Sequence, residues 1–190
     1  MKCITIGLCA ALLFGLFTSC RTDRLSKEDL EWQPYKVGDS LVFGSNKGES
    51  KTIVVKSVER HINPTDPLDI FPDRVETLFV IGKSNSHIDL LKISKGRIWF
   101  SIKRLNKNTL LHPNTIYNID EIQKMDRELV SNKKVYKIEA IQYSDNLKEF
   151  PFDLSYIYWS KEYGYAKFEY EDGYEWTLKS LIRDGVDIWK

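Results

Sequence analysis

The sequence is poor in cysteine and histidine, and its charges almost balance. Among 190 residues there are three cysteines and three histidines, and 28 lysine and arginine residues stand against 27 aspartate and glutamate residues. A protein that binds nucleic acid by displacing phosphate counterions needs an excess of basic side chains, so near-neutrality argues against that class. The 42% of hydrophobic residues argues against a disordered chain. We therefore expect one packed globular domain.

Motifs of catalysis and metal binding are missing as well. The histidines, His61, His87 and His112, do not share the short spacing of a metal site. The sequence also has no glycine-rich phosphate loop, no Gly-x-Ser-x-Gly and no His-Glu-x-x-His. Carboxylates are numerous, but none can be assigned as a general acid or base without geometry. We therefore predict no catalytic residue, no metal ligand and no cofactor.

Long hydrophobic runs are absent except for one at the N-terminus. Apolar residues dominate positions 4–17, and Lys2 supplies a positive charge before them. As a helix, about 14 residues would cover roughly 21 Å, which is less than the ~30 Å hydrocarbon core of a bilayer. The pattern is typical of an export signal peptide rather than a permanent membrane span. Cys3 and Cys9 belong to this segment, so only Cys20 would remain after its removal.

The residues that lead into Cys20 resemble a bacterial lipobox. Positions 16–20 read Leu-Phe-Thr-Ser-Cys, with two small polar residues directly before the cysteine. The resemblance implies cleavage before Cys20 and acylation of its thiol and its new amino group. Each buried methylene of an acyl chain contributes about 0.8 kcal/mol, so two or three chains would hold the protein on a bilayer almost permanently. The partner implied by this motif is therefore a membrane.

The implied organisation has three parts. Residues 1–19 form the signal peptide, residues 20–31 form the lipidated cysteine with a polar tether, and residues 32–190 form a single β-rich domain. A short helix is the alternative for part of the tether, because Ser26 is a good cap residue and Asp29 follows three places later.

The domain itself has the pattern of an antiparallel sheet. Short apolar runs separated by glycine, proline, asparagine and aspartate predict strands, with a turn at Lys95-Gly96. We expect a mostly β fold, an antiparallel meander of roughly eight to ten strands curled into a half-barrel or barrel. A two-sheet sandwich is the alternative. One short helix is predicted within residues 120–130, where Asp120 could act as cap and Leu129 continues a helical spacing.

The C-terminal region is unusually aromatic, with eleven aromatic residues between positions 150 and 176. A three-residue loop at positions 171–173 would pair Tyr170 with Tyr174 and Phe168 with Trp176, giving one continuous apolar face. A two-residue loop would instead place the two apolar rows on opposite faces of the sheet. The pattern therefore predicts the three-residue loop.

This register divides the aromatic residues between core and surface. It predicts that the opposite face, toward solvent or a partner, carries Tyr165, Lys167, Glu169, Glu175 and Thr177. Packing is the favoured role of the aromatic row, because aromatic cross-strand pairs stabilise sheets without any ligand. Four tyrosines are candidates for an exposed surface that stacks on a ligand or partner: Tyr156, Tyr158, Tyr163 and Tyr165.

Three segments, at residues 32–39, 67–73 and 157–164, resemble segments of small Bacteroidota lipoproteins of unknown function. The resemblance covers most of the chain after Cys20 and implies an exported envelope lipoprotein, but it implies no activity. Some lipoproteins are retained at the inner membrane by an aspartate directly after the cysteine, but this chain has Arg21 there. Many surface-exported lipoproteins carry an acidic run directly after the cysteine, and none follows Cys20. The resemblance therefore favours the outer membrane, facing the periplasm, over the cell surface.

Three functions are compatible with these observations. The leading hypothesis is a non-catalytic, lipid-anchored envelope protein that binds an apolar ligand or an envelope protein. The first alternative is a hydrolase that acts on an envelope polymer or lipid. The second is a structural spacer.

Overall fold

The computed structural model describes residues 22–65, 73–85, 87–101, 114–140 and 154–190. In this part of the chain, thirteen strands belong to one sheet. The strands are β1 (Thr22–Asp23), β2 (Ser40–Ser45), β3 (Ser50–Pro64), β4 (Arg74–Lys83), β5 (His87–Ser94), β6 (Arg97–Ser101), β7 (Asn114–Asn118), β8 (Arg127–Val130), β9 (Lys133–Glu139), β10 (Leu154–Ser160), β11 (Gly164–Tyr170), β12 (Glu175–Arg183) and β13 (Val186–Asp187). The helices are α1 (Lys27–Leu30) and α2 (Ile119–Ile122). No helix in these ranges is long and apolar enough to cross a membrane.

The sheet consists of two meanders that meet in its middle. Its order is β7-β6-β5-β4-β3-β2-β12-β11-β10-β9-β8, with β1 beside β4 and β13 beside β12. Every pairing is antiparallel except that of β1 with β4. The prediction of a mostly β, antiparallel meander is therefore confirmed. The strand count is higher than expected because β1 and β13 have only two residues each and because β8 lies where a helix was predicted.

Contacts across the interior show that the sheet is curled. The rings of Phe100 on β6 and Trp159 on β10 lie 5.0 Å apart, although these strands are seven steps apart in the sheet. In a flat sheet, seven steps of about 4.8 Å would separate them by roughly 34 Å. Tyr117 on β7 also donates a hydrogen bond to the carbonyl of Glu139 on β9. The single sheet is therefore a half-barrel, and the alternative of a two-sheet sandwich is not what the chain adopts.

Aromatic side chains fill the concave side of the half-barrel. Trp159 is fully buried, and its ring lies 4.8 Å from that of Tyr165 in an edge-to-face arrangement. Phe168 packs against both Tyr165 and Phe43, with ring separations of 5.0 and 5.4 Å. Pairs of this kind contribute about 0.5–1.5 kcal/mol each beyond the burial of their area. Buried side chains from both meanders form one continuous core.

The predicted hairpin register is confirmed. Phe168 pairs with Trp176, and the backbone amide of Tyr170 donates to the carbonyl of Tyr174 at 2.9 Å. Gly173 has a φ of +73°, which supplies the left-handed residue that a three-residue loop requires. The continuous apolar face is therefore the core face, as the alternation of residues predicted.

The predicted helix at residues 120–130 is shorter than expected. The helix α2 covers only Ile119–Ile122, and Asn118, not Asp120, is its cap residue. The second half of the predicted helix is strand β8, in which Leu129 is 71% exposed.

A hairpin explains why the helix stops early. Ser131 and Asn132 both have a left-handed backbone, with φ of +49° and +64°, and reverse the chain directly after β8. Because β8 pairs with β9 from Arg127 onward, its backbone groups form hydrogen bonds within the sheet instead of within a helix. The helical spacing of Leu129 was therefore misleading.

The segment predicted as a tether is instead attached to the sheet from Thr22 onward. Thr22 and Asp23 of β1 pair with the start of β4. The backbone amide of Leu25 donates to Glu76 Oε2 at 3.0 Å. Ser26 and Asp29 form a reciprocal capping box at the start of α1, so the alternative of a short capped helix is the one observed. Cys20 and Arg21 lie outside the described residues.

The chain after α1 continues across the half-barrel. The ring of Trp32 lies 5.3 Å from that of Tyr136 on β9. Tyr35 then enters the core, where its Oη accepts a hydrogen bond from the backbone amide of Tyr165 at 2.8 Å. Residues 22–39 therefore connect the β4 side of the sheet to the β10–β11 turn, and the folded domain includes residues from Thr22 onward, before the predicted boundary at Trp32.

Candidate functional site

The four candidate tyrosines do not form one surface. Tyr158 and Tyr165 are buried, whereas Tyr156 and Tyr163 are half-buried. Tyr156 and Tyr158 alternate with core residues on β10 and share its outer face. Tyr163 lies in the β10–β11 turn, where its ring contacts Trp189 at 5.3 Å. The structure thus brings together two of the four residues.

The prediction that Tyr165 faces solvent is wrong. The pairing of β10 with β11 shifts between Tyr158 and Trp159, so that β11 contains a bulge at this point. A bulge inserts one residue and redirects the side chains beside it, and Tyr165 turns into the core. Its Oη donates to the carbonyl of Leu90 at 2.5 Å. Burial raises the pKa of Tyr165 well above its usual range.

Tyr156 and Tyr158 are flanked by a lysine on the neighbouring strand. Lys137 Nζ lies 4.5 Å from the ring centroid of Tyr156 and 5.7 Å from that of Tyr158. The same ammonium group contacts Glu128 Oε1 at 2.8 Å, and this hydrogen bond raises the pKa of Lys137. The lysine is therefore held over both rings in a cation–π arrangement.

A second set of charged groups continues this surface across β11. Tyr158 Oη donates to Glu169 Oε2 at 2.9 Å. Lys167 pairs with Glu169 and also with Glu175, at 3.1 Å. Burial opposes ionisation of Glu169, but the hydrogen bonds from Lys167 and Tyr158 outweigh it and lower the pKa of this carboxyl group. For Tyr158, burial and the hydrogen bond to Glu169 both raise the pKa.

We call this surface the tyrosine–lysine face, formed by Lys137, Tyr156, Tyr158, Lys167 and Glu169. The ion pairs of Lys137 with Glu128 and of Lys167 with Glu169 and Glu175 hold its side chains in position. The half-buried ring of Tyr156 and the stem of Lys137 are the parts that a partner could contact. The chemistry available on this face is stacking, cation–π contact and hydrogen bonding, which are the interactions of a binding surface.

A polar cleft of about 560 Å³ lies beside the N-terminal segment. Its walls come from β1, α1, α2 and the β5–β6 turn. Within it, Asp23 pairs with Lys95 at 2.8 Å, and the carboxylate of Asp29 accepts hydrogen bonds from the backbone and hydroxyl of Ser26. These polar groups fasten the N-terminal segment to the sheet, so a structural role accounts for them.

Sequence reasoning missed a second cleft, of about 410 Å³, which carries three lysines. They are Lys133, Lys179 and Lys190. Because these residues are far apart in the chain and follow no motif, nothing in the sequence indicated that they converge. They meet because the β8–β9 turn, β12 and the C-terminal residues lie together.

Within the ranges that the structure describes, no group of three or more histidine, cysteine, aspartate or glutamate residues could hold a metal ion. Comparison with protein-family models, with curated proteins and with solved structures finds no match to this chain.

Proposed function

We propose that this protein is a lipid-anchored protein of the bacterial cell envelope that acts as a non-catalytic binding module. The observation that carries the proposal is the lipobox-like sequence at positions 16–20, which ends two residues before the first strand of the domain. Acyl chains on Cys20 would attach the folded domain to a membrane. The outer membrane, facing the periplasm, is the proposed location.

The position of the anchor favours a role next to the membrane. Consecutive Cα atoms are 3.8 Å apart, so the Cα atoms of Cys20 and Thr22 are separated by at most about 8 Å. Thr22 is fixed by its pairing with Arg74, and Leu25 is fixed by Glu76. The anchored domain would therefore be held at the headgroups rather than on a long flexible tether. A spacer must keep its partner at a distance from the membrane, and this arrangement would place the domain close to the membrane.

The packed interior favours a partner on the outside of the half-barrel. Phe100, Trp159 and Tyr165 meet where an enclosed apolar ligand would have to lie. The two binding partners considered for this protein are an apolar ligand and an envelope protein, and the packed interior therefore favours the envelope protein. The tyrosine–lysine face is the proposed contact surface, with Tyr156 at its centre. The hydrolase alternative remains a prediction with no assigned residues.

Lipidation can be tested directly on the full chain. The wild type and the Cys20→Ala and Cys9→Ala variants would be expressed in a bacterium that processes lipoproteins and fed an alkyne-labelled fatty acid. We expect the wild type and Cys9→Ala to carry the label, to lose residues 1–19 by intact mass and to fractionate with membranes. Cys20→Ala should carry no label. A wild-type protein that keeps Met1 and a free thiol at Cys20 would refute the anchor.

The contact surface can be tested by photo-crosslinking in the envelope. A photoreactive amino acid at Tyr156 should give one discrete heavier species, and Lys137→Glu should abolish it by reversing the charge beside the ring. The same photoreactive residue at exposed Lys56 on β3 is the matched control and should give none. Equal crosslinking at both sites would show that the tyrosine–lysine face is not the contact surface.

A further inference from the structure

We infer that the cleft between the β8–β9 turn, β12 and the C-terminal residues binds a phosphate group. We call it the lysine cleft and define it by Ser131, Asn132, Lys133, Lys179 and Lys190, which line it. Its volume of about 410 Å³ falls within the roughly 300–1,000 Å³ of small-ligand sites. This inference goes beyond the proposed function and does not depend on lipidation of Cys20.

The side chains that define the cleft are rich in hydrogen-bond donors. Each lysine ammonium group has three donors and no acceptor, and Ser131 and Asn132 add a hydroxyl and an amide donor. A phosphate group presents three strong acceptor oxygens and up to two negative charges. Lysine binds phosphate as a point charge, so a cleft lined by lysines suits this group in the sign of its charge and in its hydrogen-bond donors.

Two of the three lysines have no carboxylate partner within the described part of the chain. These two are Lys133 and Lys179, whereas Lys190 forms an ion pair with Asp187 at 3.5 Å and remains 79% exposed. On the tyrosine–lysine face, by contrast, Lys137 and Lys167 each contact a carboxylate. Because Lys133 and Lys179 line the same cleft without a carboxylate partner, a bound anion would supply their counter-charge.

The fold restrains two of these lysines before any ligand arrives. Lys133 Nζ lies 5.1 Å from the ring centroid of Tyr163. The stem of Lys179 crosses the backbone of β2 at Gly44, where a Cβ atom would lie only 2.9 Å from Lys179 Cε. Glycine at position 44 therefore lets the stem lie flat on the strand. A restrained side chain loses less conformational entropy when it binds.

The third lysine is positioned by the C-terminal segment. Asp187 accepts hydrogen bonds from the Ser180 hydroxyl at 2.8 Å and from the backbone amides of Leu181 and Trp189 at 3.2 and 3.1 Å. Burial opposes ionisation of Asp187, but these hydrogen bonds prevail and lower its pKa. The carboxylate thus fastens the segment that carries Lys190 to the end of β12.

The floor of the cleft is apolar. Leu178 is fully buried and Trp189 is 3% exposed. Lys133 is half-buried, so its charge is screened less by water than the charges of the exposed Lys179 and Lys190. The phosphate could belong to a lipid headgroup or to a soluble phosphorylated molecule, and the recognising chemistry is the same in both cases.

The test uses the full chain, purified in detergent, with two probes. Inorganic pyrophosphate is titrated calorimetrically, and flotation is measured with phosphatidylcholine vesicles with and without phosphatidylglycerol. We expect saturable binding of at least one phosphate probe. The double variant Lys133→Gln/Lys179→Gln should weaken it by about tenfold or more. The control Lys56→Gln/Lys83→Gln changes the net charge equally on exposed lysines of β3 and β4 and should leave binding unchanged.

The arms of this test distinguish the sources of phosphate. Binding of pyrophosphate alone identifies a soluble phosphorylated ligand. Flotation that rises with phosphatidylglycerol in the wild type but not in Lys133→Gln/Lys179→Gln identifies a lipid headgroup, because an acyl anchor on Cys20 would act equally in both proteins and in both kinds of vesicle. Absence of saturable binding to both probes, or an equal loss in the two double variants, would overturn the inference. Lys56, Lys83 and Lys179 are exposed and Lys133 is half-buried, so the thermal midpoints of both double variants should stay close to that of the wild type, which confirms folding.

Discussion

Gly164 lies directly against the ring of Tyr35. A Cβ atom built on Gly164 would be 2.0 Å from Tyr35 Oη and 2.2 Å from Tyr35 Cζ, and the backbone of Gly164 has a φ of +78°. The same hydroxyl group accepts the backbone amide of Tyr165 at 2.8 Å. The N-terminal segment is therefore joined to the start of β11 by a contact that only glycine permits.

Gly164→Ala should destabilise the protein strongly. The left-handed backbone costs about 1–2 kcal/mol for a residue with a side chain, and the overlap with Tyr35 adds about 1–3 kcal/mol for overpacking. The measurement is the urea midpoint of unfolding. Gly185→Ala is the matched control, because Gly185 has a φ of +80° with no atom within 4 Å of the added Cβ. If both variants lose the same stability, the Tyr35 contact has no energetic importance.

Arg183→Ala should be among the more destabilising substitutions outside the apolar core. Arg183 Nε and Nη2 donate to the two carboxylate oxygens of Asp39 at 2.9 and 2.6 Å, and Nη2 also donates to the carbonyl of Pro34 at 2.6 Å. Asp39 is 1% exposed. Removal of one partner leaves a buried charge unpaired, which costs about 3–5 kcal/mol.

The matched control for this ion pair is Lys95→Ala. Lys95 pairs with Asp23 at 2.8 Å, but its side chain is 47% exposed, so its loss should cost less than about 1 kcal/mol. Urea unfolding of both variants gives the comparison. A loss for Arg183→Ala no larger than that for Lys95→Ala would show that the Asp39 carboxylate finds another partner.

Ser26→Ala should loosen the N-terminal segment without unfolding the domain. The hydroxyl of Ser26 accepts the backbone amide of Asp29 at 3.0 Å, and loss of a cap of this kind costs about 1 kcal/mol. We expect faster hydrogen exchange at the amides of Leu25 and Asp29 and unchanged exchange in β10–β12. The exposed Ser50→Ala variant should leave both regions unchanged. Equal acceleration throughout the domain would mean that α1 is not a separate local unit.

Glu169 should contribute to acid sensitivity. Its folded-state pKa lies below the ordinary value of 4.5, so its carboxylate stabilises the folded protein above that pH. The contribution is lost as the pH falls through the folded-state pKa. The stability difference between the wild type and Glu169→Gln, measured by urea unfolding, should therefore shrink between pH 6 and about pH 3. Glu171→Gln, in the exposed β11–β12 turn, is the control, and a trend of the same size in that variant would contradict the assignment to Glu169.

The sequence by itself determined the local features of this protein. Alternating aromatic residues and Gly173 specify the register of the β11–β12 hairpin, because strand periodicity and a left-handed glycine are properties of neighbouring residues. The turn at Lys95-Gly96, where both residues have positive φ, follows from the same kind of signal. The fold class is predictable for this reason too, and the lipobox-like motif before Cys20 is equally local.

The tertiary structure decided what depends on residues far apart in the chain. The bulge in β11 turns Tyr165 into the core. Pairing with β9 makes the second half of the predicted helix a strand, β8. Pairing with β4 attaches Thr22 and Asp23, which were predicted to belong to a tether, to the sheet. Each outcome follows from hydrogen bonds or packing between strands, whose energy exceeds local propensity and is invisible in any short stretch of sequence. The convergence of Lys133 and Lys179 on one cleft has the same origin, because only the folded sheet brings the β8–β9 turn and β12 together.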